Sequence, residues 1–189
     1  MNKYDVYGLG NALVDAEYEV NDEFLQQLSI PKGVMSLIDD DRRAALSSEL
    51  DTRFTIKQRT GGGSAANTMV AMCQFGGTAF YSCRVGDDDV GDFFRSDLER
   101  IGVHSNLGAK RNGGVTGQCL VMITPDAERS MNTCLGTSGD LESNVLVPEA
   151  IRSSDYLYLE GYLASSESAR EVALEAKEIA RNAGVKVSL

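Results

Sequence analysis

Short, dense apolar runs alternate along the chain with stretches in which apolar residues recur every three or four positions, the spacing of one helix face. Residues 4–14 (YDVYGLGNALV) read as a buried strand running into a glycine-containing turn, and residues 17–20 alternate weakly. Asn21 is placed to cap a short helix with Phe24, Leu25 and Leu28 on one side; Pro31-Lys32-Gly33 breaks it, and residues 34–38 form another strand. Asp39-Asp40-Asp41 opens a helix to about Leu50, acids in the first turn matching the helix dipole. Gly61-Gly62-Gly63 introduces a helix over 64–75, ended by Gly76-Gly77, and the β-formers of 78–85 predict a strand. Asp87 to Asp89 cap a helix whose Val90, Phe93, Phe94, Leu98 and Ile101 share a face, and Gly102 stops it. Gly113-Gly114 starts a hairpin of 115–124 and 129–135 around a Pro125-Asp126 turn. Strand 156–159 follows. Ser165 or Ser166 then caps a helix striped with Val172, Ala176, Ile179, Ala180 and Ala183, Gly184 ends it, and 185–189 begins a further strand.

Strands alternating with helices of this length predict an α/β fold, a mostly parallel sheet flanked by helices. The segments 15–20, 34–38, 115–124 and 129–135 lack full crossover helices between them. They are expected to pair antiparallel, as a small second sheet over one end of the first. No internal repeat or low-complexity tract interrupts the pattern.

Charge narrows the function classes. Among 189 residues, 28 acids outnumber 18 bases for a net charge of −10. No basic stripe exists to track phosphates, so nucleic acid and a membrane surface are not expected partners. The groups Lys57-Gln58-Arg59 and Lys110-Arg111 read as solvated surface. No apolar run approaches the ~20 residues of a spanning helix. The first residues, MNKYDVYGLGNALVDAEYEV, lack the apolar stretch of a secretory signal, and the expected location is cytoplasmic. Cys73, Cys83, Cys119 and Cys134 form no C-x-x-C pair and have only His104 to join them, so reduced thiols are expected and a metal site is not. His104, after Gly102-Val103, suits a surface or capping role.

The candidate chemistry lies in two glycine-marked segments. Gly8 and Gly10 fall short of a dinucleotide fingerprint, because Leu13 occupies the position of its third glycine, and no P-loop is present. Asn11 and Asp15 stand just past a first strand, where open α/β sheets place ligands, and the pair suits a polyol: Asp15 can accept two hydroxyls, Asn11 can donate and accept. A turn-forming Asn with a solvated Asp fits the same residues. Gly61-Gly62-Gly63-Ser64-Ala65-Ala66-Asn67 lets a ligand approach backbone N–H groups at a helix N-terminus, with Asn67 one turn in; a flexible turn capped by Ser64 fits equally.

Together these motifs resemble a known family. Gly62-Gly63 with Asn67, then Gly77 and Gly86, is similar to the N-terminal signature of the ribokinase-like (PfkB) carbohydrate and nucleoside kinases, and Gly8-x-Gly10-Asn11-x-x-x-Asp15 resembles their first substrate strand. Thr116-Gly117-Gln118-Cys119, Glu128-Arg129-Ser130 and Glu160-Gly161-Tyr162 resemble the adenosine kinase branch in that order, so the resemblance covers essentially the whole chain. It implies ATP-dependent phosphoryl transfer, with Mg2+, to a primary hydroxyl of a nucleoside or a sugar. Asn11, Asp15, Gly62, Gly63 and Asn67 would hold sugar hydroxyls. Tyr162 would stack on a base beside Met131 and Leu135, and Arg129 would neutralise phosphate charge.

The resemblance also implies a division into an α/β core (1–14, 39–114 and 136–189) and a β-sheet lid (15–38 and 115–135), with a homodimer through the lid as in some family members. The family's G-A-G-D loop with the catalytic aspartate, its Asn-x-x-Glu magnesium motif and most of its ATP site have no counterpart in these residues. The expectation is therefore the substrate-binding, N-terminal part of a kinase. A sugar or sugar-acid kinase remains open, as does a non-catalytic ligand-binding protein if the chain is complete.

Overall fold

The computed structural model describes residues 4–108 and 113–189; the basic pair Lys110-Arg111 lies outside them. Strand β1 (Tyr4–Leu9) is followed after three residues by β2 (Leu13–Glu19). Helix α1 (Asp22–Gln27) opens where the Asn21 side chain accepts the Phe24 amide. After β3 (Met35–Leu37), Asp39 caps α2 (Asp40–Arg53) by accepting the Arg42 amide. Strand β4 (Ile56–Gly62) leads into α3 (Ser64–Gln74), and β5 (Ala79–Ser82) into α4 (Asp89–Ile101), which is capped by Asp88 and closed by left-handed Gly102. Strands β6 (His104–Ser105), β7 (Gly117–Ile123) and β8 (Arg129–Cys134) precede α5 (Pro148–Arg152). Strand β9 (Ser154–Leu159), α6 (Glu167–Asn182), capped by Ser166, and β10 (Lys186–Ser188) complete the described chain.

The first sheet has the order β10-β9-β1-β5-β6, and every pairing in it is parallel. Alternation along β1 sends its residues to two cores. Tyr7 and Leu9 join Leu157 and Leu159 beneath α5 and α6, where Ile151, Val172, Ala176 and Ala180 are buried. Val6 joins Ala79 and Tyr81 beneath α3 and α4, with Met69, Phe94 and Leu98. The sheet is thus covered on both faces, as a parallel sheet requires.

The second sheet has the order β3-β8-β7-β2-β4 and is mixed, which corrects the antiparallel expectation. Pairs β2–β4 and β7–β8 run antiparallel, whereas β2–β7 and β3–β8 run parallel. A parallel pair needs a long return path. For β2 and β7 that return carries α1 to α4 together with β5 and β6 of the first sheet, so strands lacking a private crossover helix still pair parallel. Strand β4, for which the apolar pattern predicts nothing, closes one edge.

Only one face of this sheet is covered by its own helices. Phe24, Leu25, Leu46 and Leu50 from α1 and α2 pack on Tyr18, Leu120 and Met122. On the other face stand Leu13, Asp15, Cys119, Met131 and Thr133, in register across β2, β7 and β8. Leu50 is fully buried. The substitution Leu50→Ala is expected to remove about 3 kcal/mol of stability, read as a lower urea midpoint with an unchanged slope. A midpoint within error of wild type would show that α2 is not packed as described.

Candidate functional site

The uncovered face of the second sheet, the crossing from β1 to β2 and the start of α3 enclose a cavity of about 420 Å³. Its wall includes Asn11, Leu13, Asp15, Met35, Leu37, Gly63, Ser64, Cys119, Met131, Thr133, Leu135, Glu160, Tyr162 and Ser165. The sheet side is largely apolar and sulfur-bearing. The side facing the first sheet is polar, because it is made of strand ends and a helix start. Tyr162 lies on a single 3₁₀ turn just after β9 and is 62% exposed, at the rim.

Glu160 organises the polar side. It is 2% exposed. Its Oε1 accepts the Asn11 backbone N–H at 3.2 Å and the Asn11 side-chain Nδ2 at 2.9 Å. Its Oε2 accepts the Ser64 hydroxyl at 2.8 Å and the Ala65 N–H at 2.9 Å. The sequence offers the α3 N-terminus as a set of free N–H groups for a ligand; in the structure a buried carboxylate already occupies part of it. Such a terminus does not fit a nucleotide phosphate, and among the described residues no group of three or more His, Cys, Asp and Glu could hold a metal ion.

Asp15 is different: its carboxylate has no hydrogen-bond or ion-pair partner among the described residues. Burial pushes its pKa up, the Arg129 charge pulls it down, and Glu17 pushes it up again. Gly62 lies against it, so that a Cβ there would stand 2.9 Å from Asp15 Oδ1. Gly63 has a φ of +102°, and a side chain at that position would drive into the Asn11 carbonyl oxygen. Cys119, directly beside Asp15 on β7, is held protonated by burial, its pKa raised to about 11 even though it accepts the Thr133 hydroxyl.

Of the site residues that the sequence singles out, Asn11, Asp15, Gly63, Met131, Leu135 and Tyr162 line this one cavity, with Gly62 immediately behind Asp15. Two stand outside it. Asn67 is exposed one turn into α3, and Arg129 is exposed at the start of β8, paired with Glu17 at 2.8 Å.

A sequence model described as "pfkB family carbohydrate kinase" matches residues 34–189. The chain belongs to this family. Among relatives of the pfkB chain, a guanosine-inosine kinase from Escherichia coli (strain K12) is 25% identical over 190 aligned positions, covering 97% of this chain and 44% of the relative. Among solved structures, a probable sugar kinase protein from Rhizobium etli CFN 42 superposes with a TM-score of 0.86 at 35% identity, covering 99% of this chain and 56% of that one. An adenosine kinase from Sinorhizobium meliloti superposes with a TM-score of 0.84 at 36% identity, covering 98% and 55%. The chain therefore spans about half the length of the proteins it matches.

Sequence reasoning on this pfkB chain missed Glu160 as a site residue and quoted it only within a motif. The usable signal was a lone acid at the end of an otherwise apolar strand, Tyr156 to Leu159, where burial demands partners. It also missed Ser138, whose hydroxyl accepts the Ala12 N–H at 3.1 Å and donates to the Ala12 carbonyl at 2.5 Å.

The raised Asp15 pKa makes a stability prediction. The folded state holds this proton more tightly than the unfolded chain, so stability falls as pH rises between the ordinary carboxylate range and the raised value. Ionised Asp15 thus weighs against folding at neutral pH. The substitution Asp15→Asn is expected to raise the thermal midpoint at pH 7 and to flatten its decline as pH rises above the ordinary carboxylate range, about pH 4. Differential scanning calorimetry showing a lower midpoint for D15N would refute this account of the site.

Proposed function

We propose that the protein is an ATP-dependent kinase that phosphorylates a primary hydroxyl of a nucleoside, adenosine-like in shape, and that this chain supplies the acceptor-binding half. One observation carries the reading: a carboxylate with no partner among the described residues, Asp15, stands in the otherwise apolar sheet wall of the cavity. A carboxylate can accept two hydroxyls of a ribose, and Met35, Leu37, Met131, Leu135 and Tyr162 offer a flat base an apolar slot that a simple sugar does not need. The sugar-facing role falls to Asn11, Asp15, Gly62 and Gly63. Asn67, exposed one turn into α3 and outside the cavity lining, is not assigned a part in it.

ATP is the proposed phosphoryl donor, with Mg2+. The described residues do not fit either group, and the donor site and the general base are assigned to the remainder of such a kinase. Arg129 is proposed to exchange Glu17 for phosphate; an exposed ion pair contributes only ~0–1 kcal/mol, so the exchange is easy. The second sheet, described as 15–38 with 115–135 and joined by β4, is proposed as the lid. A second copy is proposed to pair through its β3 edge, where Met35 and Leu37 are exposed. A cytoplasmic location is supported by four cysteines without disulfides, three of them buried.

The test is phosphoryl transfer from ATP and Mg2+ by the full-length protein to adenosine, guanosine, inosine, ribose and fructose, compared by kcat/KM. A purine nucleoside is expected to lead by at least tenfold. Fructose or ribose leading instead would identify a sugar kinase, the reading favoured by the Rhizobium etli likeness. Calorimetric binding without transfer to any of the five would identify a ligand-binding protein and remove the enzyme claim. Light scattering should give twice the protomer mass, and a Leu37→Lys variant should return the monomer; an unchanged mass for L37K would dismiss the β3 edge as the contact.

A further inference from the structure

Glu160 carries an inference that the family likeness does not supply. Its four hydrogen bonds saturate the acceptor capacity of a carboxylate, so no lone pair is left over for a ligand. Those four donors come from two separate places: the β1–β2 crossing and the first turn of α3. Because a carboxylate repels a carbonyl oxygen, the Asn11 amide must turn its Nδ2 toward Glu160, as observed at 2.9 Å. The Asn11 carbonyl oxygen, Oδ1, is thereby left as an acceptor with no partner among the described residues.

Resting on the reading of the cavity as an acceptor-binding site, we propose that Glu160 is a positioning residue that fixes the Asn11 amide, so that Asn11 Oδ1 is held as an acceptor beside the Asp15 carboxylate. Such a site selects a ligand that brings two hydroxyl donors. It discriminates against analogues in which fluorine, an acceptor without a proton, replaces a hydroxyl. Glu160 itself touches no ligand atom in this scheme. Its saturation, its burial and the separate origin of its partners all assign it to holding other groups still.

The variant Glu160→Gln tests this in the full-length protein. The Gln amide cannot accept from all four donors, and it can pair with the Asn11 amide in either orientation. The expected result is a KM for the nucleoside or sugar acceptor raised about tenfold, with the KM for ATP within twofold of wild type. The preference for the hydroxyl ligand over its 2′- or 3′-fluoro analogue is expected to shrink severalfold, because a freed Asn11 can now donate. A merely supporting role would not move that preference.

An acceptor KM that rises while the fluoro preference stays constant overturns the proposal, and so does an unchanged KM. If E160Q fails to fold, Ser64→Ala removes a single donor to Oε2, and a preference for the hydroxyl ligand unchanged from wild type then overturns it. A wild-type protein that neither binds nor phosphorylates nucleosides and sugars overturns the reading of the cavity, and this proposal falls with it. Wild-type turnover alongside an unaltered E160Q overturns the positioning role alone.

Discussion

Between Leu9 and Leu13 the chain leaves one sheet and enters the other within three residues, and that crossing constrains everything around it. Backbone groups in a buried, non-ladder segment must still find partners. Here side chains from distant elements provide them. Tyr81 donates its hydroxyl to the Asn11 carbonyl at 2.9 Å, Ser138 bonds both the N–H and the carbonyl of Ala12, and Glu160 receives the Asn11 N–H. Residues from the first sheet, from a 3₁₀ turn and from the end of β9 therefore converge on one short stretch. The cavity exists because these bonds hold two sheets at a fixed separation with only one of them fully covered by helices.

The two walls follow different physics. On the polar wall each group has a defined partner, which gives geometry but little adaptability. On the sheet wall, Met35 and Met131 are unbranched and polarizable, and they fill irregular shapes with little penalty. Asp15 sits where the two meet. It is surrounded by desolvating neighbours and offset by a cation that is itself shared with Glu17. Binding sites commonly hold such groups at the expense of stability.

Much of this was legible in the sequence. Caps at Asn21, Asp39 and Ser166 start helices where read, and Gly102 and Gly184 lie where helices end. The α/β class followed from the alternation of strands and helices. What escaped notice has specific causes. Strand β4 carries Lys57, Gln58 and Arg59 at an exposed edge and ends in glycines, so no apolar period marks it. Strand β6 is two residues long. The parallel pairings of β2 and β3 depend on partners about a hundred residues away, a distance over which local patterning carries no information. Six of the nine flagged site residues line one cavity because motif spacing reports strand ends well. Glu160 and Ser138 act on backbone, and a residue that serves the backbone leaves no motif of its own.

Strand β1 has one more consequence, in the order of events during synthesis. Its two neighbours in the sheet are residues 79–82 and 154–159. Tyr7 and Leu9, both fully buried in the finished fold, therefore have an incomplete sheet until some 150 further residues have emerged. At ordinary translation speeds that is a wait of roughly 7 to 30 s. For that interval the N-terminal segment is an apolar strand with an open edge, the form of chain most prone to join a neighbour on the same polysome. The central position of β1 in the folded sheet thus gives it the longest wait for its last partner among the described strands.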